Sequence, residues 1–332
     1  MPVKTTGTRA PHSSLEACPR PRQLVVALLL FVTACTEPFA PEMPFEQQIV
    51  VYGILSNVAS EQPLRVFTTY SHDALNLDGP GPNTNVTDAL VVVADASGGV
   101  SQVDTCLYSI ALSAYVWSPA PLVRGRQYRL SVEAGPIQNV EAVTVVPREA
   151  AVTPGNVFAL REPSTYVSDF TVSTRLPVEA KASIVQLLVE YEYNSGGVWL
   201  PGRTEVPLRL VTTLGGGAAQ HVYPELVRRL NPSDGGEWVY QYTAFESEAY
   251  AWALSQIRSR YLSTGLKFRR AVVRVTQLDE HLYNYYSIAN GFRDPHTIRV
   301  DQPDYTNVVG GYGIFGAAVA DSILILLPES IR

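Results

Sequence analysis

The sequence predicts a mainly β protein, with a β-sandwich in its first half and an α+β part with two helices packed on an antiparallel sheet in its second. Between residues 48 and 147, about seven short segments rich in β-branched and aromatic residues alternate with turns of Gly, Pro, Asn and Ser. No helical pattern interrupts them. After residue 147, similar segments are joined by two stretches whose apolar side chains recur at helical spacing.

The first half contains clear strand patterns. Residues 49–55 read IVVYGIL, and residues 89–94 form a short apolar run that a Ser-Gly-Gly turn ends. Residues 125–133 alternate, with Tyr128 and Leu130 on one face. The stretch from Pro147 to Pro163 then holds three prolines and a glycine. We therefore predict one domain over 48–147 and a second over 148–332.

Two helices are expected in the second half. Residues 247–261 place apolar side chains at helical spacing, with Ser247 as the expected N-cap and Gly265 as the stop. Residues 279–292 form the second helix, ahead of an Asp-Pro pair. The chain is expected to close with two strands, near 313–320 and 322–327.

The N-terminus carries an export signal. Arg20 and Arg22 precede a nine-residue apolar run, LVVALLLFV, and the small residues after it lead directly to Cys35. Nine residues are too few for a membrane-spanning helix, which needs about 20. A cysteine at this point resembles the lipobox of bacterial lipoproteins, where the thiol is lipidated and becomes residue one. The alternative is an ordinary cleavable signal followed by a chance cysteine.

We therefore expect residues 1–34 to be a lipoprotein signal peptide and residues 35–47 to be a lipid anchor and tether. Two or more acyl chains on Cys35 hold a protein stably at a membrane. The residues that follow are acidic and rich in proline, which excludes a helix and favours a short extended linker. Apart from this covalent lipid, the sequence predicts no cofactor.

Charge and cysteine content narrow the class of protein further. The chain has 25 basic and 31 acidic side chains, and the leader removes four basic ones and one acidic one, which leaves a net charge of about −9 with His neutral. Such a charge argues against nucleic-acid binding, which needs a basic patch. Cys106 is the one cysteine that is neither in the leader nor lipidated. It lies in a strand pattern, where a packed thiol is favoured over a nucleophile.

Motifs for chemistry are weak, and we predict neither a catalytic nor a metal site. Residues 311–316 fit G-x-G-x-x-G, but a strand pattern follows them and no βαβ unit surrounds them, so a tight turn is favoured. The run Asp279-Glu-His281 at a helix start has the ligand types of a metal site, but capping and the helix dipole favour the same residues there. Scattered carboxylates such as Asp294 with Asp301 or Asp304 leave a hydrolase open.

Two aromatic residues are candidates for contact with a ligand or partner. Trp252 lies off the apolar stripe of the first predicted helix, and Tyr283 lies at the edge of the stripe of the second. Exposed aromatic side chains are typical of sugar stacking and of protein interfaces. Core packing is the competing interpretation for each.

Several of these segments together resemble the lipoprotein family catalogued as "domain of unknown function 4249", which is common in the Bacteroidota. The resemblance is carried by the lipobox cysteine, the tether, residues 49–55, 88–95 and 125–132, and the helix at 279–285. It is also carried by a terminal signature, N-V-x-G-G-x-G-I-F-G, whose fixed residues include Asn307, Gly310, Gly311, Gly313, Phe315 and Gly316. The resemblance implies an Ig-like or transthyretin-like first half, an outer-membrane location, and association with TonB-dependent transporters.

Three functions remain open from the sequence. The first is a non-enzymatic binding or accessory lipoprotein of the outer membrane that works with a transporter. The second is a lipoprotein that binds glycans or peptides, at the cell surface. The third is a carboxylate-based hydrolase. The sequence does not separate the periplasmic face from the cell surface.

Overall fold

The computed structural model describes residues 45–70, 84–98, 103–118, 122–161, 168–211, 220–229, 236–261, 265–290 and 305–328. Over these residues the protein is mainly β, with 18 strands and three helices, which confirms the predicted fold class. Every element described below belongs to one compact unit, Gln47–Arg332. Among the helices of the described ranges, none has the length and apolar character to cross a bilayer.

The first half contains seven strands. In chain order they are β1 (Ile49–Leu55), β2 (Gln62–Thr68), β3 (Leu90–Asp95), β4 (Val103–Ser109), β5 (Ala114–Trp117), β6 (Gln127–Glu133) and β7 (Val140–Val145). Buried and exposed residues alternate along most of them, as expected for strands with one face on a core.

These strands form a two-layer sandwich. Residues 103–106 of β4 pair with β3, whereas residues 107–109 pair with β5, so the sheet passes from one layer to the other along β4. Side chains from both layers, among them Val51 of β1 and Val93 of β3, share one core from which water is excluded. Val308 and Phe315 from near the C-terminus complete this core.

The second half contains the remaining elements. Its strands are β8 (Ala151–Pro154), β9 (Phe170–Pro177), β10 (Ala182–Ser195), β11 (Val198–Val206), β12 (Arg209–Val211), β13 (Gln220–Val222), β14 (Val227–Arg228), β15 (Trp238–Phe245), β16 (Leu266–Leu278), β17 (Val308–Val309) and β18 (Tyr312–Leu326). Its helices are α1 (Phe158–Arg161), α2 (Ser247–Arg260) and α3 (Glu280–Asn290).

Strand β18 joins the two halves. Its residues 312–317 pair with β1 in parallel, and its residues 318–326 pair with β16 in antiparallel fashion. One 13-stranded sheet therefore runs from β11 through β10, β16, β18 and β1 into the sandwich. The two closing strands expected near 313–320 and 322–327 are one strand of 15 residues, because Asp321 between them is hydrogen-bonded within the structure. The domain boundary near residue 147 stays a prediction.

Helix α2 packs its apolar stripe on the long sheet, as predicted. Tyr250, Ala253, Leu254 and Ile257 are buried at helical spacing. They share a second core with β10, β16 and the inner face of a three-stranded sheet of order β15-β9-β8. Helix α3 packs on β18 instead, where Leu282 meets Ile314.

Local details of the helices differ from expectation. Glu246 is the N-cap of α2 and makes no side-chain cap bond, so the prediction of Ser247 as N-cap is wrong. The Ser247 hydroxyl instead donates to the Ser168 carbonyl at 3.3 Å, because it is turned toward the neighbouring chain segment. The short helix α1 lies in the proline-containing stretch where the domain boundary was predicted.

Candidate binding surfaces

The residues expected to contact a ligand or partner are mostly packed within the fold. Cys35 lies outside the described residues. Trp252 is half-buried, and its ring centroid lies 3.9 Å from that of His221 on β13. Tyr283 is half-buried beside the cluster around Leu282, with the Arg228 guanidinium 6.0 Å from its ring. The two candidate aromatics belong to different clusters and do not form one site.

The terminal signature holds backbone segments together. The Asn307 amide donates to the carbonyls of Val143, at 3.1 Å, and Phe315, at 2.7 Å, and its oxygen accepts from the Phe315 amide at 2.9 Å. Gly313 has a φ of +110°, and a Cβ there would lie 1.9 Å from the Val51 carbonyl oxygen. A side chain is thus excluded by backbone, which accounts for the glycine.

At two other glycines of the signature, an added Cβ would also lie close to neighbouring atoms. A Cβ on Gly311 would lie 2.4 Å from the Ile49 carbonyl oxygen, and one on Gly316 would lie 3.0 Å from the Leu282 Cβ. Gly310 has a φ of +84°, in the turn between β17 and β18. A strand, β18, follows these glycines, so the geometry is that of a close-packed turn.

The acidic run before α3 acts as a helix cap. The Asp279 carboxylate accepts from the Leu282 amide at 2.8 Å and from the Thr144 hydroxyl. Burial raises the pKa of Asp279 and outweighs its hydrogen bonds, which act to lower that pKa. His281 bonds through Nδ1 to the Tyr305 hydroxyl at 2.7 Å. Within the described ranges no three His, Cys, Asp or Glu side chains are grouped to hold a metal ion, and Asp294, Asp301 and Asp304 lie outside those ranges.

An aromatic surface covers the outer side of the three-stranded sheet, and we call it the tyrosine face. Trp238, Tyr240 and Tyr242 alternate along β15 and point away from the second core. Tyr240 and Tyr242 are 71% and 70% exposed, whereas tyrosine is a residue type of intermediate burial in folded proteins. Arg175 lies opposite Tyr240 on β9.

Cationic side chains fix the Trp238 end of the tyrosine face. The guanidinium groups of Arg148 and Arg175 lie 4.8 and 4.4 Å from the centroid of the Trp238 ring. Arg148 also pairs with Glu179 at 3.0 Å. These contacts immobilise Trp238 and leave the two tyrosines beyond it as ordered, amphipathic surface.

A groove of about 850 Å³ opens on the face of the long sheet that points away from the second core, and we call it the charged groove. It is lined by Glu190, Tyr191, Glu192, Pro201, Gly202, Arg203, Arg269, Arg270 and Leu326. The Glu190 carboxylate accepts hydrogen bonds from Arg270 Nε at 2.6 Å and from Arg203 Nε at 3.2 Å. Arg269 forms an ion pair with Glu192. Burial acts to raise the pKa of Glu190, but hydrogen bonds from the two arginines outweigh it and lower that pKa.

Beyond the groove, the β10–β11 hairpin ends in a second aromatic platform. Trp199 is 39% exposed, and the Lys267 ammonium lies 4.1 Å from its ring centroid. Lys267 lies opposite Glu192 in the strand register. An aromatic platform and a run of donors and acceptors therefore lie next to each other along one sheet face.

Sequence reasoning missed both surfaces, although one signal was available. The run from Trp238 to Tyr242, W-V-Y-Q-Y, puts three aromatics on one face of a strand by simple alternation. Which face would be buried depends on the packing of β9 and β15 over the second core. The charged groove assembles residues of β10, β11, β16 and β18, and no local spacing connects them.

The fold defines a mainly β protein built on one long sheet. Residues 36–323 match the family described as "Domain of unknown function (DUF4249)", and the chain belongs to this family.

No curated protein matches the chain, whereas 13 solved chains do. One of them is the crystal structure of the C-terminal globular domain of an oligosaccharyltransferase from Pyrococcus abyssi, at 12% sequence identity and a TM-score of 0.22. That alignment covers 69% of this chain and 46% of the solved one, so the chain spans less than half the length of its match.

Proposed function

We propose that the protein is a non-enzymatic accessory lipoprotein of the outer membrane, held by a lipid on Cys35, that docks a protein partner through the tyrosine face. The observation that carries the proposal is the pair of exposed tyrosines on consecutive outward positions of β15. Tyr, Trp and Arg are the residues that dominate the energetics of protein interfaces. The resemblance to envelope lipoproteins points to a TonB-dependent transporter as the partner.

The arrangement of the tyrosine face suits docking. The two tyrosines extend from a strand whose backbone is already ordered, and each has only two side-chain torsions to fix when a partner covers it. Arg175, opposite Tyr240 on β9 and over the Trp238 ring, adds planar donors for a partner's carbonyl or carboxylate groups. β15 is the terminal strand of its three-stranded sheet in the described part of the chain, and it pairs with β9 on one side. Its other side can therefore offer backbone groups to a partner strand.

A pull-down from native envelope membranes tests this proposal. The tagged full-length protein is expected to recover an integral outer-membrane transporter. The double variant Tyr240→Ser/Tyr242→Ser should lower that recovery at least tenfold, whereas Val103→Ser, at another exposed strand position, should leave it unchanged. Equal recovery by all three proteins, or recovery of no membrane protein by the unchanged chain, would contradict the proposal.

The anchor is tested separately by mass spectrometry of the N-terminal peptide of the purified protein. The expected peptide starts at Cys35 and carries two or three acyl chains. A free thiol at position 35, or residues upstream of it still attached, would remove the proposed location.

A second candidate function is binding of a glycan or peptide in the charged groove. Glycan hydroxyls both donate and accept, which matches alternating Arg and Glu side chains, and the sugar ring stacks on an aromatic face such as Trp199. A glycan array and a titration followed by tryptophan fluorescence test this function. Binding that survives Trp199→Ala and Glu190→Gln unchanged would place the ligand elsewhere.

A further inference from the structure

The strand registers define which end of the sandwich the N-terminal tether enters, and we call it the tether end. β1 begins there, with Ile49 opposite Thr68 at the end of β2. β5 runs antiparallel to β2 and β4 antiparallel to β5, so the turn between β4 and β5 projects at this same end. β3 begins there because it is antiparallel to β4, and β18 begins there because it is parallel to β1.

Large apolar side chains are exposed at the tether end. Ile110 in the β4–β5 turn is 87% exposed and Val309 before β18 is 75% exposed. Among the described residues of this end, the exposed large apolar or aromatic side chains include Tyr70, Leu90, Ile110, Leu112, Val309 and Tyr312. They come from four separate segments of the chain, so no single local sequence pattern accounts for them.

The two ends of the sandwich have different surroundings. At the end opposite the tether, Arg124 reaches Asp321 on the part of β18 that belongs to the second half. The charged groove lies further still, since Leu326 is 14 residues beyond Tyr312 along β18, about 45 Å at the rise of a strand. The tether end is therefore the end remote from both the groove and the second core.

We propose that the tether end rests on the bilayer surface, with its apolar side chains in the headgroup layer of zwitterionic lipid. This inference rests on the proposed lipid on Cys35. Gln47 lies twelve positions after Cys35, a span of at most about 40 Å, so the anchor keeps this end within reach of the membrane. Tyrosine and aliphatic side chains are favoured at that depth.

Charge selects the kind of lipid. Exposed Asp88, Glu133 and Glu141 lie on the segments that meet at the tether end. Their carboxylates disfavour an anionic surface, which polybasic proteins use. Contact with lipid at this end would direct the charged groove away from the bilayer, where a ligand or partner can reach it.

Site-directed fluorescence on the complete lipidated protein tests this inference. The protein is purified from membranes, reconstituted in phosphatidylcholine vesicles, and labelled at Ile110→Cys or, as a second variant, Leu112→Cys. The matched control is Val58→Cys, an exposed residue in the turn at the opposite end of β1. Labelling is selective because Cys35 is acylated and Cys106 is buried.

Lipids with a nitroxide in the headgroup should quench the labels at 110 and 112 at least threefold more than the label at 58. Equal quenching of all labels, in protein that still floats with the vesicles, would overturn this inference and leave the anchor intact. Protein that fails to float would overturn both. Shielding of position 110 only when envelope proteins are added, without lipid quenching, would replace the bilayer by a protein.

Discussion

Arg124, in the turn before β6, forms a two-point ion pair with Asp321 of β18, and its Nη2 lies 2.9 Å from Asp321 Oδ2. The same carboxylate accepts from the Ala150 amide at 2.9 Å and from Gln277 Nε2 at 2.8 Å. Arg124 also donates to the carbonyls of Pro147 and Arg148. One partly buried charge pair thus fixes the sandwich, the connecting segment and the long sheet relative to one another.

Loss of the Asp321 carboxylate should destabilise the protein strongly. Asp321→Ala leaves the Arg124 guanidinium largely buried without its charge partner, so we expect the free energy of unfolding to fall by about 3 kcal/mol. Urea unfolding monitored by tryptophan fluorescence measures it. Asp95→Ala, which removes a surface pair with the half-exposed Arg126, is the control and should have a much smaller effect. Similar losses from the two variants would contradict the assigned role of Asp321.

Gly313 should not accept a side chain. Gly313→Ala combines a positive φ with a collision against the Val51 carbonyl oxygen, so we expect a loss of at least about 2 kcal/mol in the free energy of unfolding. Gly135→Ala is matched in having a positive φ, but its added methyl group meets open space, so only about 1 kcal/mol should be lost. A Gly313→Ala protein as stable as the control would remove the packing explanation of the signature.

The Asp279 cap should make stability depend on pH in a defined direction. Burial raises the pKa of Asp279 above its ordinary value of 3.8, so the folded protein holds the proton more tightly than the unfolded chain. The stability it contributes is complete below 3.8 and is lost as the pH rises through the higher folded pKa.

The variant Asp279→Asn keeps an oxygen for the Leu282 amide but cannot ionise. As the pH rises from about 4 to 8, the free energy of unfolding of the unchanged protein should therefore fall relative to that of this variant. Urea unfolding at several pH values measures it. A difference that stays constant, or that moves the other way, would show that the buried carboxylate does not titrate as described.

Cys106 should be unreactive in the folded protein. Burial, and secondarily the charge of Asp104, raise the pKa of its thiol to about 12. Because the thiolate is the reactive form, a thiol-specific chromogenic reagent at pH 8 should react at least about a hundredfold more slowly with the native protein than with the denatured protein. Comparable rates would mean that this strand opens readily.

Prediction from the sequence worked where the signal was local. The alternation in β6 and the helical spacing of Tyr250, Leu254 and Ile257 state directly which side chains are buried, and the structure agrees. Prediction was wrong for the end of the chain, where one strand of 15 residues stands in place of the two expected. Asp321 lies in the middle of β18, and its charge is tolerated there because Arg124 is 197 positions away in sequence but adjacent in space.

The candidate surfaces show the same contrast. Trp252 was a reasonable candidate because it leaves the apolar stripe of α2, but β13 places His221 against its ring. Strand alternation in the sequence puts Tyr240 and Tyr242 on one face of β15, but it does not state which face a second layer will cover. Their exposure follows from the packing of β9 and β15 on the second core through the opposite face, which includes Phe170 and Phe245.

The sequence by itself determined the mainly β class, the two long helices and the family, because each depends on residue type and spacing within short segments. Only the tertiary structure decided that β18 serves both halves and that the tyrosine face and the charged groove exist. It also decided that one end of the sandwich is apolar. These features depend on which strands become neighbours and which faces are covered. Long-range pairing sets both, through burial and hydrogen bonding summed over the whole chain.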